Sequence, residues 1–416
     1  MEALVNKYAN KLVQSGLGKP SGPCQPLVGG LDDILVWNRT ACETQILERV
    51  FSGLNINSLV FLRPVEPYAG LIQNLSCKAL SSNGIIEPKD CETRTFLHDL
   101  PVISTFDPNQ IIQILKKRKS VIIASDKNTN GFKGPAIIAH GTVSPEQGFV
   151  TISSVCFAGF IKFFTDYLEN LQLGTATPAD HGCFDAVLDH IQPLPKALPD
   201  FTSGPFSNEQ SVYTAMIEAG LRTVEYDLVD SYFGNVSYCW NNTLYISQTG
   251  SSLDELSGCI DPVPLDNSTS AGLTASSELS AHLKTIEITG NHAILHGHPK
   301  FCVILSMDCD PIEKAACDFN GQCHIKCPKK RFVNHSFFGH APIGQIPIVS
   351  GEVGTGPTGL CNTLPKALSQ SNSAIVYGHG LFTTGKTDFF EPFKTMLEVE
   401  TLCRDIYFKK VKDLRK

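Results

Sequence analysis

The chain has 416 residues, of which 42% are hydrophobic and 18% charged, a balance typical of soluble globular proteins and unlike that of disordered or fibrous chains. At this length we expect two domains, because single hydrophobic cores rarely extend beyond about 250–300 residues. The net charge of -7 provides no broad positive surface, so a nucleic-acid partner is disfavoured.

The N-terminus is polar and amphipathic and contains no apolar signal core. No segment has 18 uninterrupted apolar residues, so no membrane partner is expected and the sequence predicts a cytoplasmic protein. In a reducing compartment the 15 cysteines should be thiols or metal ligands, and their odd number fits that view.

A proline-rich stretch divides the chain. Residues 192–204 contain three prolines and end in a Ser-Gly pair, which indicates a linker. We therefore predict a first domain over residues 1–195, a linker over 196–207 and a second domain over 208–416.

Helix-like and strand-like segments are mixed throughout the second domain, which predicts an α/β fold. Asn208 is a candidate N-cap for the first helix, and Ser276 for a later one. The predicted elements are a helix over 208–221, a hairpin of strands 235–240 and 244–247, a helix over 276–285, a strand over 293–295, a buried segment over 302–305, a strand over 373–377 and a helix over 389–408.

Parts of the two halves resemble each other in the same order. Residues 135–141, with the helix-like stretch that follows them, parallel residues 373–380 and the final helix. Two shorter pairs of segments support this, namely 99–104 with 345–350 and 40–43 with 275–278. We infer a tandem duplication of one α/β unit.

Two histidines separated by one residue lie in a strand-like stretch. His296 and His298 should project from the same face of that strand, with α-carbons roughly 7 Å apart, so both can reach one ion. Catalytic zinc takes three protein ligands and keeps a fourth position open. Taken alone, such a pair is more often two surface or core histidines, but an acid, Glu278, precedes it and a third histidine, His379, follows it.

In this order the motifs resemble those of the class II aldolase/adducin-head family, in particular its fuculose-1-phosphate aldolases. The resemblance covers about residues 208–408, and it implies two tandem α/β/α domains, each with a central, mainly antiparallel sheet flanked by helices. The segments that carry the resemblance are Gly234-Asn235-Val236-Ser237, Thr249-Gly250, Ser276-Ser277-Glu278, His296-Gly297-His298 and His379-Gly380.

The resemblance implies one catalytic zinc ion, bound by His296, His298 and His379, with Glu278 either completing the empty site or moving protons. It also implies a phosphate cradle made of five residues, namely Asn235, Thr249, Gly250, Ser276 and Ser277. These residue types suit an anion independently, because they offer neutral hydrogen-bond donors near the start of a helix.

The function implied is that of a zinc-dependent aldolase, a lyase that cleaves or forms a carbon–carbon bond in a phosphorylated ketose through a zinc-stabilised enediolate. Two alternatives remain open: a pentulose-phosphate epimerase on the same scaffold, and a non-catalytic binding protein like the adducin head. The family resemblance also implies a homo-oligomer, whose neighbouring subunit often supplies a second catalytic acid. No motif in the sequence identifies that acid.

Two regions depart from the family pattern. Residues 309–327 form a Cys-rich insertion, in which Cys309, Cys317, Cys323 and Cys327 could bind a second metal, zinc or an iron–sulfur cluster, or could be packed thiols.

The first half lacks the histidine pair. We place Pro64 and Glu66 at the corresponding positions, which leaves only Glu43 and His140 of the zinc set. We therefore expect a degenerate copy that binds no catalytic zinc, packs against the second half and takes the place of a neighbouring subunit.

Overall fold

The computed structural model describes residues 1–129, 132–230, 232–266, 268, 273–310, 314, 317, 331–333, 345–350 and 355–416. Of the insertion at 309–327, Cys323 and Cys327 therefore lie outside the described residues. The chain forms two compact units, one of residues 1–167 and 175–192 and the other of residues 168–174 and 193–416.

The first unit is built on a seven-stranded sheet. Its strands are β1 (Leu27–Leu31), β2 (Leu35–Trp37), β3 (Ser58–Leu62), β4 (Ile85–Ile86), β5 (Leu100–Ile103), β6 (Ser120–Thr129) and β7 (Phe132–Gly141). The helices are α1 (Glu2–Gln14), α2 (Thr44–Ser52), α3 (Tyr68–Leu80), α4 (Cys91–Leu97), α5 (Pro108–Leu115), α6 (Pro145–Leu173), whose last turns fall in the second unit, and α7 (Pro178–Leu188). A buried apolar cluster that includes Leu27, Phe61 and Ile138 packs α2 and α5 on one face of the sheet.

Helix α6 is long and apolar enough to cross a membrane. However, 89% of its most apolar stretch is buried within the protein, as in the core helices of soluble proteins. Elsewhere in the described parts of the chain no helix meets the same criteria.

The second unit is built on an eight-stranded sheet. Its strands are β8 (Asn235–Trp240), β9 (Thr243–Ser247), β10 (Ile260–Pro264), β11 (Ala293–Gly297), β12 (Arg331–Val333), β13 (Ile346–Val349), β14 (Ser373–Val376) and β15 (Gly380–Gly385). The helices are α8 (Glu209–Glu225), α9 (Leu279–Thr289), α10 (Lys300–Met307), α11 (Leu360–Leu368) and α12 (Phe390–Leu414), and a 3₁₀ turn lies at Leu253–Glu255.

Local sequence explains where these helices start and end. Asn208 caps α8, with its side chain accepting a hydrogen bond from Ser211 N, and Gly290 in the left-handed conformation ends α9. The segment 302–305, which the sequence identified only as buried, lies inside helix α10.

The two sheets share one strand order. The first runs β2-β1-β3-β7-β6-β5-β4, and the second runs β10-β9-β8-β11-β15-β14-β13-β12. In each sheet only one pair of neighbouring described strands is parallel, β5 with β6 and β13 with β14, and these two pairs occupy the same place in the order. Strand β10 is the addition in the second unit. The predicted α/β fold with mainly antiparallel sheets is confirmed.

The helix that follows the histidine pair is fixed at its start by an acid from the last helix. Both oxygens of Glu400 accept backbone hydrogen bonds, from Phe301 N and Cys302 N, each at 2.9 Å. Burial raises the pKa of Glu400 to about 7, although these two N–H groups favour the ionised form. Glu400 therefore anchors the first turn of α10 from within the core.

Candidate metal centre

Three buried imidazoles meet at one end of the central strands of the second sheet. His296 is in β11, His298 follows that strand directly, and His379 lies in the turn between β14 and β15. The Nε2 atom of His296 is 3.0 Å from His298 Nε2 and 3.2 Å from His379 Nε2. One ligand atom from each of the three rings lies within 4.8 Å of the others. The structure thus brings together the three histidines that the sequence singled out.

The protonation of these rings suits a cation. His296 Nδ1 lies 3.1 Å from the carbonyl oxygen of Leu381, which can only accept a hydrogen bond, so Nδ1 carries the proton and Nε2 presents a lone pair. Burial lowers the pKa of His296 to about 4, against the opposing effect of the Glu278 charge. Burial likewise holds the pKa of His298 well below its ordinary value. Burial thus favours the neutral form of both rings, which is the form that binds a metal.

The spacing of the nitrogens suits zinc. Two ligand nitrogens in a tetrahedral zinc site, each about 2.0–2.1 Å from the ion, are about 3.3–3.4 Å apart. The distances of 3.0 and 3.2 Å between Nε2 atoms are close to this value. If all three rings present Nε2 lone pairs, these repel one another at such distances, and a cation between them removes that repulsion. The donor set therefore fits a tetrahedral metal ion.

An ionised carboxylate completes the cluster. Glu278 lies at the N-cap position of α9, with Oε1 3.2 Å from His379 Nε2 and Oε2 3.7 Å from His296 Nε2. Asn235 donates a hydrogen bond of 2.6 Å from Nδ2 to Oε2. Burial alone would raise the pKa of Glu278. The nearby imidazoles and the hydrogen bond from Asn235 outweigh burial and lower that pKa below its ordinary value.

Glycines allow the turn that carries His379 to approach the histidine pair. Gly378 has a φ of +59°, which favours glycine. A Cβ on Gly380 would lie 2.8 Å from ring atoms of both His296 and His298, so a side chain at this position would displace two of the three imidazole rings. The sequence motif of a histidine between two glycines therefore has a steric cause.

Two supporting contacts were missed by the sequence analysis. The ring of Phe382 stacks on His296 with centroids 3.8 Å apart and planes 9° apart. His282, one turn beyond Glu278 on α9, is buried, and its Nδ1 lies 2.7 Å from Ser237 Oγ. Burial lowers the pKa of His282 to about 4. The four-residue spacing from Glu278 to His282 was a usable signal, since it places both on one face of a helix.

The two segments expected to hold phosphate are joined to each other. Thr249 N donates to Thr274 O and Thr249 Oγ1 donates to Ala275 O, both at 2.9 Å. Ser276 N donates to Ser247 O at 3.0 Å. Thr249, Gly250 and Ser277 are exposed and Ser276 is buried. Ser276 and Ser277 of the second segment immediately precede Glu278 in the sequence.

Asn235, one of the predicted phosphate-binding residues, lies beside the metal centre. Its Nδ2 is used by Glu278, while its buried Oδ1 has no hydrogen-bond partner among the described residues. A buried acceptor of this kind is unfavourable unless a ligand donates to it. Asn235 is therefore suited to contact a hydroxyl group of a substrate.

The structure changes the assignment of equivalent positions in the first unit. Glu43 is the N-cap of α2 as Glu278 is of α9, and the number of residues from Glu43 to the start of β3 equals that from Glu278 to the start of β11. The positions of His296 and His298 therefore correspond to Phe61 and Arg63. The sequence-based assignment to Pro64 and Glu66, which follow β3, is wrong.

The pairing of His140 with His379 is also wrong. His140 lies opposite Leu59, near the start of β3, whereas His379 precedes β15, whose first residues pair with the end of β11. The two histidines thus lie at opposite ends of corresponding strands. The apolar residues before His140 resemble those before His379, but the hairpin of β6 and β7 places them one strand further along the sheet.

The proposed thiol cluster is only partly described. Cys309 and Cys317 are half-buried. Cys323 and Cys327 fall in the portion of the chain that the structure does not describe. A second metal at these four thiols stays a prediction.

Comparisons with known proteins identify a family for the second unit. A search of the curated proteins finds no match. Similar solved structures include L-fuculose-1-phosphate aldolase from Thermus thermophilus (19% identity, TM-score 0.36, covering 49% of this chain and 97% of that chain) and a sugar-phosphate aldolase from Thermotoga maritima (15%, 0.34, 49% and 96%). The family model described as Class II Aldolase and Adducin N-terminal domain matches residues 214–407. Residues 214–407 of the chain therefore belong to the class II aldolase and adducin N-terminal domain family.

Proposed function

We propose that the second unit is a zinc-dependent lyase that cleaves or forms a carbon–carbon bond in a phosphorylated ketose. The observation that carries this proposal is the convergence of three buried imidazole nitrogens beside an ionised glutamate. A protein that only binds a partner has no need of such a cluster in its interior, where every unpaired polar atom is unfavourable.

His296, His298 and His379 would hold the zinc ion. When bound, zinc acts as a Lewis acid that stabilises the negative charge developing when the bond next to a ketone breaks. Glu278 moves the proton to or from the carbon beside the carbonyl. Its Oε1 lies 3.2 Å from His379 Nε2, so it is close enough to the histidine cluster to reach a substrate bound there. Asn235 holds Oε2 of Glu278, so that Oε1 faces the imidazole of His379.

The phosphate of the substrate would bind at the cradle. Thr249, Gly250 and Ser277 are exposed where the two joined segments meet, at the start of α9. The N-terminus of a helix favours an anion through its free N–H groups and its dipole. Ser276 completes the set on the buried side, while Asn235, whose Nδ2 donates to Glu278, has only its Oδ1 left to accept from a substrate hydroxyl.

The test is a panel of ketose 1-phosphates and pentulose 5-phosphates incubated with the zinc-loaded full chain. A lyase releases dihydroxyacetone phosphate from at least one ketose 1-phosphate, and a chelator abolishes that release because the metal leaves the centre. An epimerase converts a pentulose phosphate without net cleavage. Absence of both reactions, with no zinc in the purified protein, would support a binding protein and contradict our proposal.

We further propose that the chain acts in the cytoplasm as a homo-oligomer. The family resemblance supports the oligomer, and size-exclusion chromatography with light scattering tests it.

A tandem duplication followed by loss of the first site explains the two halves. The shared strand order, the single parallel pair in each described sheet and the equal spacing of Glu43 and Glu278 from the next strand support it. In the first unit Arg63 donates from Nη2 to Glu43 Oε1 at 2.8 Å, and Phe61 lies in the apolar core. We infer that the guanidinium neutralises the retained glutamate where the second unit would use a metal.

Replacing Arg63 with methionine should destabilise the first unit by about 1–2 kcal/mol, because the half-buried Glu43 loses the guanidinium that balances its charge. The double variant Arg63→Met/Glu43→Gln removes both charges and should recover most of the loss. Urea unfolding followed by circular dichroism measures the effect. Equal stability of the single variant and the wild type would show that Arg63 does not compensate Glu43.

A further inference from the structure

Strand β10, which has no counterpart among the described strands of the first sheet, carries a buried acid that the proposed chemistry does not use. Strand β10 pairs with β9 at the sheet edge, and the described sheet of the first unit has no strand at this place. Asp261 lies in β10 opposite Ile246, and only 7% of its surface is exposed. A carboxylate this deeply buried requires hydrogen-bond partners for both oxygens.

Asp261 finds those partners in the two segments of the phosphate cradle. Oδ1 accepts a hydrogen bond of 2.7 Å from Gln248 Nε2, and Oδ2 accepts one of 2.5 Å from Thr274 Oγ1. Gln248 immediately precedes Thr249-Gly250, and Thr274 lies two residues before Ser276. One carboxylate thus bonds to both segments.

The direct contact between these segments is one residue pair long. Gln248 and Ala275 form an isolated bridge outside the named strands, closed by the backbone hydrogen bonds from Thr249 N to Thr274 O and from Ser276 N to Ser247 O, and Thr249 Oγ1 also donates to Ala275 O. The bonds to Asp261 add two charge-assisted contacts, which are about twice as strong as neutral ones. They fix how far Thr249 lies from the start of α9, the spacing that decides whether both segments can bind one phosphate.

We infer that Asp261 is a positioning residue for phosphate binding, acting through Gln248 and Thr274. A carboxylate repels a phosphate, so Asp261 itself is not a phosphate ligand; both its oxygens are turned to protein donors. This inference rests on the proposed function, because it takes the two segments as the site of the substrate phosphate. It also gives a role to β10, the strand in which the two sheets differ.

The test uses Asp261→Asn in the zinc-loaded full chain, with inorganic phosphate as the probe and calorimetry as the measurement. Asparagine keeps the shape of the side chain but removes its charge, so the contacts with Gln248 and Thr274 are no longer charge-assisted, and we expect phosphate to bind about 10-fold more weakly. With an accepted substrate the KM should rise by a similar factor while kcat stays within about twofold, because uniform binding is lost and the metal centre is untouched.

A reversed pair provides the rescue. In Asp261→Asn/Gln248→Glu the amide at position 261 donates to the new carboxylate and its oxygen still accepts from Thr274, so both bonds and the net charge are kept. Phosphate affinity should return to within about threefold of the wild type. Thr274→Val, at an exposed position, removes only the second bond and keeps the test available if Asp261→Asn does not fold. Phosphate that binds directly to the zinc ion should contribute equally in the wild type and in every variant, so it does not affect the comparison.

The outcomes separate the inference from the function on which it rests. If the wild type does not bind phosphate, the proposed sugar-phosphate function is contradicted. If the wild type binds phosphate and the folded Asp261→Asn and Thr274→Val variants bind it equally well, the role of Asp261 is contradicted. A reversed pair as weak as the single variant would also overturn it, because the hydrogen bonds would then not be the cause.

Discussion

Glu278→Gln is expected to lower kcat by about 10²–10⁴-fold, the range for loss of a general acid or base. Glutamine keeps the size of the side chain and can still accept the hydrogen bond from Asn235, but it cannot accept or donate the proton that is transferred to or from the substrate carbon. Because three histidines remain as ligands, the variant should keep its zinc. Steady-state release of dihydroxyacetone phosphate and metal analysis by mass spectrometry measure the two effects separately.

The matched control is Glu287→Gln on the same helix, where the side chain is exposed and forms an ion pair with Lys284. Its kcat should equal that of the wild type, since surface ion pairs contribute little. A Glu278→Gln enzyme with undiminished kcat would remove Glu278 from the mechanism. Loss of zinc together with activity would instead make Glu278 a metal ligand.

His298→Ala is expected to abolish both zinc binding and activity. Two imidazoles are too few for a catalytic zinc site, which takes three protein ligands. His140→Ala serves as the control, because His140 lies at the far end of β7 and corresponds to no ligand. The wild type and the control should each contain one zinc per chain, and His298→Ala should contain none.

This measurement also bears on the thiols of the insertion. A stoichiometry of two per chain that falls to one in His298→Ala would reveal a second metal outside the histidine centre, with the thiols near Cys309 as the first candidates. A His298→Ala chain that retains full activity would contradict the zinc site altogether.

Much of the second unit was predictable from local sequence. The hairpin at 235–247, the cap at Asn208 and the ordered motifs from Ser276 to His379 depend on short-range rules of capping, alternation and glycine placement. The α/β fold and the His296-Gly297-His298 pair were found in this way, whereas His379 was added through the order of motifs in the family that the sequence resembles. The fold class is confirmed, and the roles of the site residues stay predictions.

The errors and omissions share a physical cause. His140 was matched to His379 because similar apolar residues precede both. Structural equivalence of two residues depends on strand order and register, which neighbouring residues do not encode. Phe382 and Asp261 acquire their contacts only when β15 meets β11 and β10 meets β9. Such pairings join residues distant in sequence, and no local pattern reveals them.

The metal centre draws its residues from positions 235 to 379, on strands and a turn that meet only after the second sheet has assembled. No shorter piece of the chain contains the three histidines, Glu278 and Asn235 together. Zinc uptake during refolding should therefore be a late event that reports completion of the whole sheet, and the ion should slow the unfolding of the unit as it favours the native state. Cells short of zinc would then contain less of the folded protein, as well as less of its activity.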